Sequence, residues 1–512
     1  MKRRNFLKVS GIFPFVAQSL AAAQLVNDNS TSAPNDLPPA KDFFYKPADA
    51  WAADFIPLFA EGKFQLFYLL DWRDAKKHGE GTPWYRISTT DFVNFEEHGE
   101  MIPRGTKEEQ DLYVFTGSAI KAKDKYHIFY TGNNGYMNDK RKPTQAVMHA
   151  VSDDLQHWTK IPSDTFYAPT DKYEKNDWRD PFVFFNEETK EYNMLLAARF
   201  NKGIPRRRGL TALCSSKDLV TWKMEEPFYT PNEFFTHECP DLFKMGDWWY
   251  LVFSEFTDLV ATRYRMSRSI KGPWITPEHD TFDGHAFYAA KTASNGKDRF
   301  IFGWNPTRSE NKDSGNWQWG GNLVVHQVVQ QPNGELAVRV PVTVSKAFNK
   351  PLLQQLKTIE GVSLGVQKQV EIKAHGKFNA VMGGVLPDTC KLSTSVIFTE
   401  NTKDFGCMLR CSDDLESAYY IRLEPWKNRI VFDMWPRTTN EVSQMVELER
   451  SLKLMPGKPV TMQIFIDGNK GVVYVNDLVA MNFRAYNLKE GKWAFFVSQG
   501  NATFGDIELS TL

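Results

Sequence analysis

Three acidic residues stand at matching places ahead of conspicuous apolar runs. Asp54 lies about ten residues before the run at 64–69. Asp180, within Trp178-Arg179-Asp180-Pro181, lies a similar distance before the run at 192–197. Glu238, within His237-Glu238-Cys239-Pro240-Asp241, lies about ten residues before the run at 248–253. Carboxyl groups gathered in one partly desolvated pocket must diverge in proton affinity, so one can stay protonated while another is ionised. Glycosidic cleavage needs that division of labour: one acid protonates the leaving oxygen while another attacks the anomeric carbon. A single aspartate in such a place is more often a strand-end carboxylate, but three in register across a repeat point to a shared polar pocket. Arg179, beside Asp180, is suited to keeping a carboxylate ionised or to holding a sugar hydroxyl. Residue types and spacing say nothing of the substrate.

The elements that would position these acids form an internal repeat. Ser88-Thr89-Thr90-Asp91-Phe92-Val93-Asn94-Phe95 recurs as Ser152-Asp153-Asp154-Leu155-Gln156-His157-Trp158 and as Ser215-Ser216-Lys217-Asp218-Leu219-Val220-Thr221-Trp222. A looser copy is Ser267-Arg268-Ser269-Ile270-Lys271-Gly272-Pro273-Trp274. Each reads as a turn in which Ser and Asp side chains hold nearby amides and an aromatic ring packs beneath. Each copy follows an apolar strand, and a fifth strand at 299–304 has no clear turn after it. Five units at a period of about 50 to 65 residues predict a propeller of four-stranded blades. The innermost strand of each blade lines the axis, so the three acids should converge there. The matching places in the other two blades are near Ser118 and near Ala289-Ala290-Lys291.

Beyond about Val340 the pattern changes to candidate strands with turns at Asp467-Gly468-Asn469 and Glu490-Gly491, as for two packed sheets. The expected fold class is all-β: a five-bladed β-propeller followed by a C-terminal β-sandwich. Lys2, Arg3 and Arg4 precede an apolar stretch and Ala21-Ala22-Ala23, the layout of an export signal with a twin-arginine character. The expected organisation is signal peptide 1–23, linker 24–45, propeller 46–340, linker 341–364 and sandwich 365–512, with an exported protein carrying no membrane anchor.

Composition narrows the partners. The 62 basic and 62 acidic side chains cancel, which argues against nucleic acid and favours a neutral polar ligand such as a carbohydrate. Aromatic residues make up 14% of the chain, with 15 Trp. They suit sugar stacking and inter-blade packing equally. The five cysteines have no zinc-like spacing, and no metal or cofactor is expected. His237 reads as a structural histidine with a lesser prospect of tuning Glu238, and Arg206-Arg207-Arg208 as a solvated loop. Trp317 and Trp319 suit an outer sugar platform or packing.

These motifs resemble glycoside hydrolase family 32, the invertase, inulinase and levanase family, over nearly the whole chain after the leader. Arg179-Asp180-Pro181 and Glu238-Cys239-Pro240 look like its two signature motifs, and Phe115-Thr116-Gly117-Ser118 is similar to its Phe-Ser-Gly-Ser element. Trp84 with the 88–95 turn, and Gly303-Trp304, match in kind and order. The resemblance implies a retaining mechanism on fructosyl bonds. Asp54 would be nucleophile, Glu238 acid/base and Asp180 the brace of the transition state, with Trp84, Phe115, Ser118, Arg179 and Trp304 lining the fructosyl subsite. A retaining pair implies carboxyl groups roughly 5–5.5 Å apart. Departures are plain: Trp51-Ala52-Ala53-Asp54-Phe55-Ile56-Pro57 keeps the acid of the family's first motif but loses its Asn, Pro and Gly neighbours, and His326-Gln327-Val328 stands where Pro-Arg-Glu is usual. Two alternatives stay open: a propeller glycosidase acting on another furanoside, such as an arabinose-containing glycan, and a non-catalytic carbohydrate-binding propeller.

Overall fold

The computed structural model describes residues 42–358, 362–364, 369–437 and 446–512; the expected leader lies outside them. Five small antiparallel sheets come first in the chain. Blade one holds β1 (Trp51–Ala60), β2 (Lys63–Asp71), β3 (Trp84–Thr89) and β4 (Glu96–Ile102). Blade two holds β5 (Tyr113–Ala122), β6 (Lys125–Asn133), β7 (Gln145–Ser152) and β8 (Thr159–Lys160). Blade three holds β9 (Tyr173–Asn186), β10 (Glu191–Phe200), β11 (Gly209–Ser216) and β12 (Lys223–Met224). Blade four has three strands, β13 (Glu238–Met245), β14 (Trp248–Glu255) and β15 (Ala261–Ser267), with isolated bridges from β15 to Ile275 and Thr281 in place of the expected fourth. Blade five holds β16 (Tyr288–Ser294), β17 (Arg299–Arg308), β18 (Trp317–Gln330) and β19 (Leu336–Arg339), and β18 pairs with β1 at Ala52↔Gly321 to join the last blade to the first.

The repeated turn is built as its residues predict. Asp91, Asp154 and Asp218 each accept from two following amides, while Phe92, Leu155 and Leu219 take φ of 62°, 65° and 70°. The aromatics that close the turns then pack on the neighbouring blade: Trp158 lies edge-on to Phe67, with centroids 5.7 Å apart, and Trp222 to Phe129 at 5.5 Å. One local motif thus ends the third strand and ties blades together. Burying each such ring contributes about 1.5–3 kcal/mol.

The second half is a β-sandwich whose two layers share one bent strand, Lys492–Thr511. Its first part pairs with Asp404–Cys411 and its second with Thr389–Phe398. Positive φ at Gln499, Gly500 and Asp506 bends it between layers. Two segments read from sequence as linker are built into the structure. Phe43, Phe44 and Tyr45 are buried against the propeller core, because three successive aromatics are too apolar for a solvated tether. Residues 341–364 hold a helix at Val342–Ala347, and Lys350–Pro351 and Val362–Leu364 add strands to the sandwich. Among the described residues, no helix is long and apolar enough to cross a membrane.

Candidate active site

Each of the five inner strands carries a β-bulge at the same place. Register slips by one residue between Ala53 and Ile56, Phe115 and Gly117, Arg179 and Phe182, Glu238 and Asp241, and Tyr288 and Lys291. An extra residue re-aims the side chains around it, so the bulges define three sets of equivalent positions across the five blades. The bulge position holds Asp54, Thr116, Asp180, Cys239 and Ala289. The position before it holds Ala53, Phe115, Arg179, Glu238 and Tyr288. Two residues after it come Ile56, Ser118, Phe182, Asp241 and Lys291. Asp54, Asp180, Cys239 and Ala289 all sit at φ between 47° and 58°. Non-glycine residues there cost of order 1–3 kcal/mol each and persist only where the surroundings impose them. In blade two the bulge needs Gly117, where an added Cβ would lie 1.9 Å from the Phe129 carbonyl oxygen. Inner strands have one unpaired edge, which is why Pro57, Pro181 and Pro240 fit on them.

The acids are joined by a circuit that passes through four blades. Trp304 Nε1 donates to Asp54 Oδ1 at 2.9 Å, and Thr116 Oγ1 donates to Asp54 Oδ2. The Trp304 ring packs on Tyr288, whose hydroxyl donates to Glu238 Oε2 at 2.6 Å. Arg179 Nη2 donates to Glu238 Oε1 at 3.1 Å, and its Nε lies 3.9 Å from Asp180 Oδ2. Asp180 Oδ2 also accepts from the Cys239 amide at 3.0 Å. Arg179 is steadied from behind by Asp177 and Thr236.

Asp54 and Asp180 are buried while the Glu238 side chain is 21% exposed. Burial pushes Asp54 up to about 7; the Thr116 and Trp304 hydrogen bonds oppose it, and Asp180 and Glu238 add to it. Asp180 is pushed up to about 6, again by burial first, with Arg179 pulling it down. Arg179 is held firmly protonated, its burial outweighed by Glu238, Asp177 and Asp180. The pocket thus holds carboxyls that trade a proton near neutrality beside a fixed cation, as acid–base work on one small substrate requires.

Asp54, Asp180, Glu238, Arg179 and Trp304 lie together in one contact network, and the Phe115 ring packs beside Tyr113. Two residues expected in the subsite lie elsewhere. Trp84 is wholly buried on β3, packed on Phe67 and Tyr130, because the third strand of a blade lies away from the axis. Ser118 points into the blade-two/blade-three junction, where its Oγ accepts from the Val183 amide at 3.0 Å. Glu238 is also one residue out of step with Asp54, and its longer side chain covers the difference.

His237 is buried and stacked on Phe253, lowered to about 3 by burial and Arg265, and is structural. Arg207 and Arg208 pair with Asp258 and Glu174. Trp319 is 39% exposed and packs on Trp304 at the mouth, whereas Trp317 packs under Arg308 and His285. Sequence reasoning missed Tyr288, and it placed Thr116 and Lys291 near the matching positions of their blades without giving either a role. Their only signal was position in the repeat, since none is an acid. Among the described residues no group of three or more His, Cys, Asp or Glu is arranged to hold a metal ion.

Known proteins share this arrangement at the level of family and fold. The glycosyl hydrolases family 32 N-terminal domain matches residues 45–338, more than half of the chain. A sucrose-6-phosphate hydrolase of Vibrio alginolyticus is 26% identical over 337 residues, covering 60% of this chain and 64% of that protein, so the matched stretch spans under two thirds of that relative. A sucrose-6-phosphate hydrolase of Zymomonas mobilis is 25% identical over 503 residues, covering 92% of this chain and 91% of the other. Fructan 1-exohydrolase IIa from Cichorium intybus superposes with a TM-score of 0.69 at 15% identity, covering 91% of this chain and 97% of that one. The five-bladed propeller, its trailing sandwich and the length of the family match lead to one statement: the chain belongs to glycosyl hydrolase family 32.

Proposed function

We propose that this protein hydrolyses fructosyl bonds of sucrose-type sugars or fructans by double displacement at the propeller axis. The observation that carries the reading is the circuit linking Asp54, Glu238 and Asp180 through Trp304, Tyr288 and Arg179. In the first step Asp54 attacks the anomeric carbon and Glu238, the most exposed of the three, protonates the departing oxygen. In the second, Glu238 takes a proton from water, which attacks the same carbon and frees Asp54. Asp180 accepts hydrogen bonds from sugar hydroxyls, and Arg179 keeps the extra negative charge tolerable. The names of the sucrose-6-phosphate hydrolases and the fructan exohydrolase support a fructosyl substrate. Residues 1–23 support export, on the reading of their sequence.

The test is a panel of sucrose, sucrose 6-phosphate, inulin, levan and arabinofuranosides, run with the full chain and with Asp54→Asn and Glu238→Gln. Fructose release with retained anomeric configuration is expected. It should fall about 10²–10⁴-fold in Glu238→Gln and at least as far in Asp54→Asn. Arabinose release would move the assignment to another furanoside. Binding without release by the native protein would make the propeller a lectin.

A further inference from the structure

Of the five residues two past the bulges, Ile56 and Phe182 are apolar, and the three polar ones do not all behave alike. Ser118 accepts from the amide of Val183 in the next blade, and Asp241 accepts at 2.6 Å from the amide of Thr292, which holds the equivalent place in its own next blade. Lys291 follows neither example. It has no acceptor atom, and the equivalent residue in blade one is Pro57, which has no amide hydrogen. Its side chain crosses the axis instead. Nζ donates to the Gly117 carbonyl oxygen of blade two at 2.9 Å and lies 5.4 Å from the centre of the Phe182 ring of blade three. Lys291 is 2% exposed.

This strut is anchored at a sensitive point. Gly117 immediately follows Thr116, whose hydroxyl holds Asp54, and Gly117 is the residue whose missing side chain permits the bulge. Burial lowers the proton affinity of the ammonium, and the carboxyl groups of Asp241 from β13, Asp180 from β9 and Asp54 from β1 oppose that in part. The other charged or titratable groups around this floor are the Cys239 thiol of β13; Arg179, which faces Glu238 and Asp180; Arg299, which stands by Asp241; and Tyr288, which is bonded to Glu238.

We propose that Lys291 is a positioning residue that closes the floor of the pocket. It holds the blade-two bulge so that Thr116 stays on Asp54, and its ammonium offsets negative charge that Asp54 and Asp180 take on in a dry cavity. The proposal rests on the axial pocket being the fructoside-cleaving site. Two formal negative charges with no counter-charge below them would hold on to protons more tightly, so removing the ammonium moves the acid limb of activity to higher pH.

The experiment compares Lys291→Met, Lys291→Gln and Lys291→Arg in the full chain by two readouts. One is the pH profile of kcat/KM on the fructoside that the native protein cleaves. The other needs no turnover: infrared titration of the carboxyl bands, assigned by their loss in Asp54→Asn and Asp180→Asn. Met and Gln should both raise the acid limb and the carboxyl titration by roughly one pH unit or more. Gln, which can still donate to Gly117, should lose less kcat than Met, and Arg should keep the native limb. Folded Met and Gln variants with native titration and native acid limb would overturn the proposal. So would an acid limb shifted by about one pH unit or more in Lys291→Arg, which also decides the matter if the neutral variants do not fold. A native protein that releases no fructose, with the carboxyl titration still shifted in Lys291→Met, would sink the functional reading and leave Lys291's role standing.

Discussion

The propeller axis and the propeller–sandwich boundary both bury charge, and they treat it in opposite ways. At the boundary Asp283, Arg484 and Arg450 are each closed off by several partners. Asp283 accepts from the Asn482 amide at 2.9 Å and from its side chain, and His326 bridges Asp283 at 2.9 Å and Tyr474 at 2.8 Å. Arg484 spreads its donors over Asn305, Pro306 and Asn322, and Arg450 over Thr281, Phe282 and Ala480. At the axis Glu238 and Asp180 share one arginine, the backbone is held at positive φ, and Asp54 and Asp180 are driven toward their protonated forms. The boundary is arranged for stability. The axis keeps groups at raised energy, as a reactive site does.

Breaking the boundary should give the largest loss of stability with little effect on chemistry. Asp283→Ala leaves His326 and Asn482 short of a partner inside the protein. It should cost about 3–5 kcal/mol in urea unfolding, while kcat of the remaining folded protein stays within about two-fold, since no axial residue is touched.

The axis should respond in the reverse sense. A carboxyl raised from its ordinary 3.8 to about 7 supports folding while protonated and loses that support as pH rises toward 7. Asp54→Asn should therefore match the native protein in stability below about pH 4. Above pH 7 it should gain on it, by up to about 4 kcal/mol, while activity is lost. Thermal melts across pH check this; a variant destabilised at pH 8 would mean that Asp54 is structural. Tyr288→Phe is the smallest change. It removes one hydrogen bond to the Glu238 carboxyl, about 1–3 kcal/mol, and should lower kcat/KM by about 5- to 100-fold with the melting temperature nearly unchanged.

Much of this was legible in the residues. The Ser/Thr-x-Asp turn is a local motif whose side chains bond amides two and three positions on, so its copies announced the blades. The acids stood out because carboxylates ahead of apolar strands are unusual and recurred. Trp84 was misplaced because an apolar aromatic in a strand reads the same whether it faces a sugar or a core. Residues 341–364 were misread because short strands such as Val362–Leu364 exist only through their partners elsewhere in the chain.

What the sequence determined by itself was periodic: five β units, turns that close them, a change of pattern near Val340, and acids in the first, third and fourth units. What only the tertiary structure decided was direction. A bulge is a mismatch between two strands, so no single strand announces it, yet it sets which of two adjacent residues faces the axis. Tyr288 on Glu238, Thr116 on Asp54 and Lys291 reaching Gly117 are pairs 50, 62 and 174 residues apart. Such meetings are created when the ring of blades closes, and the local chemistry of the chain has no way to record them.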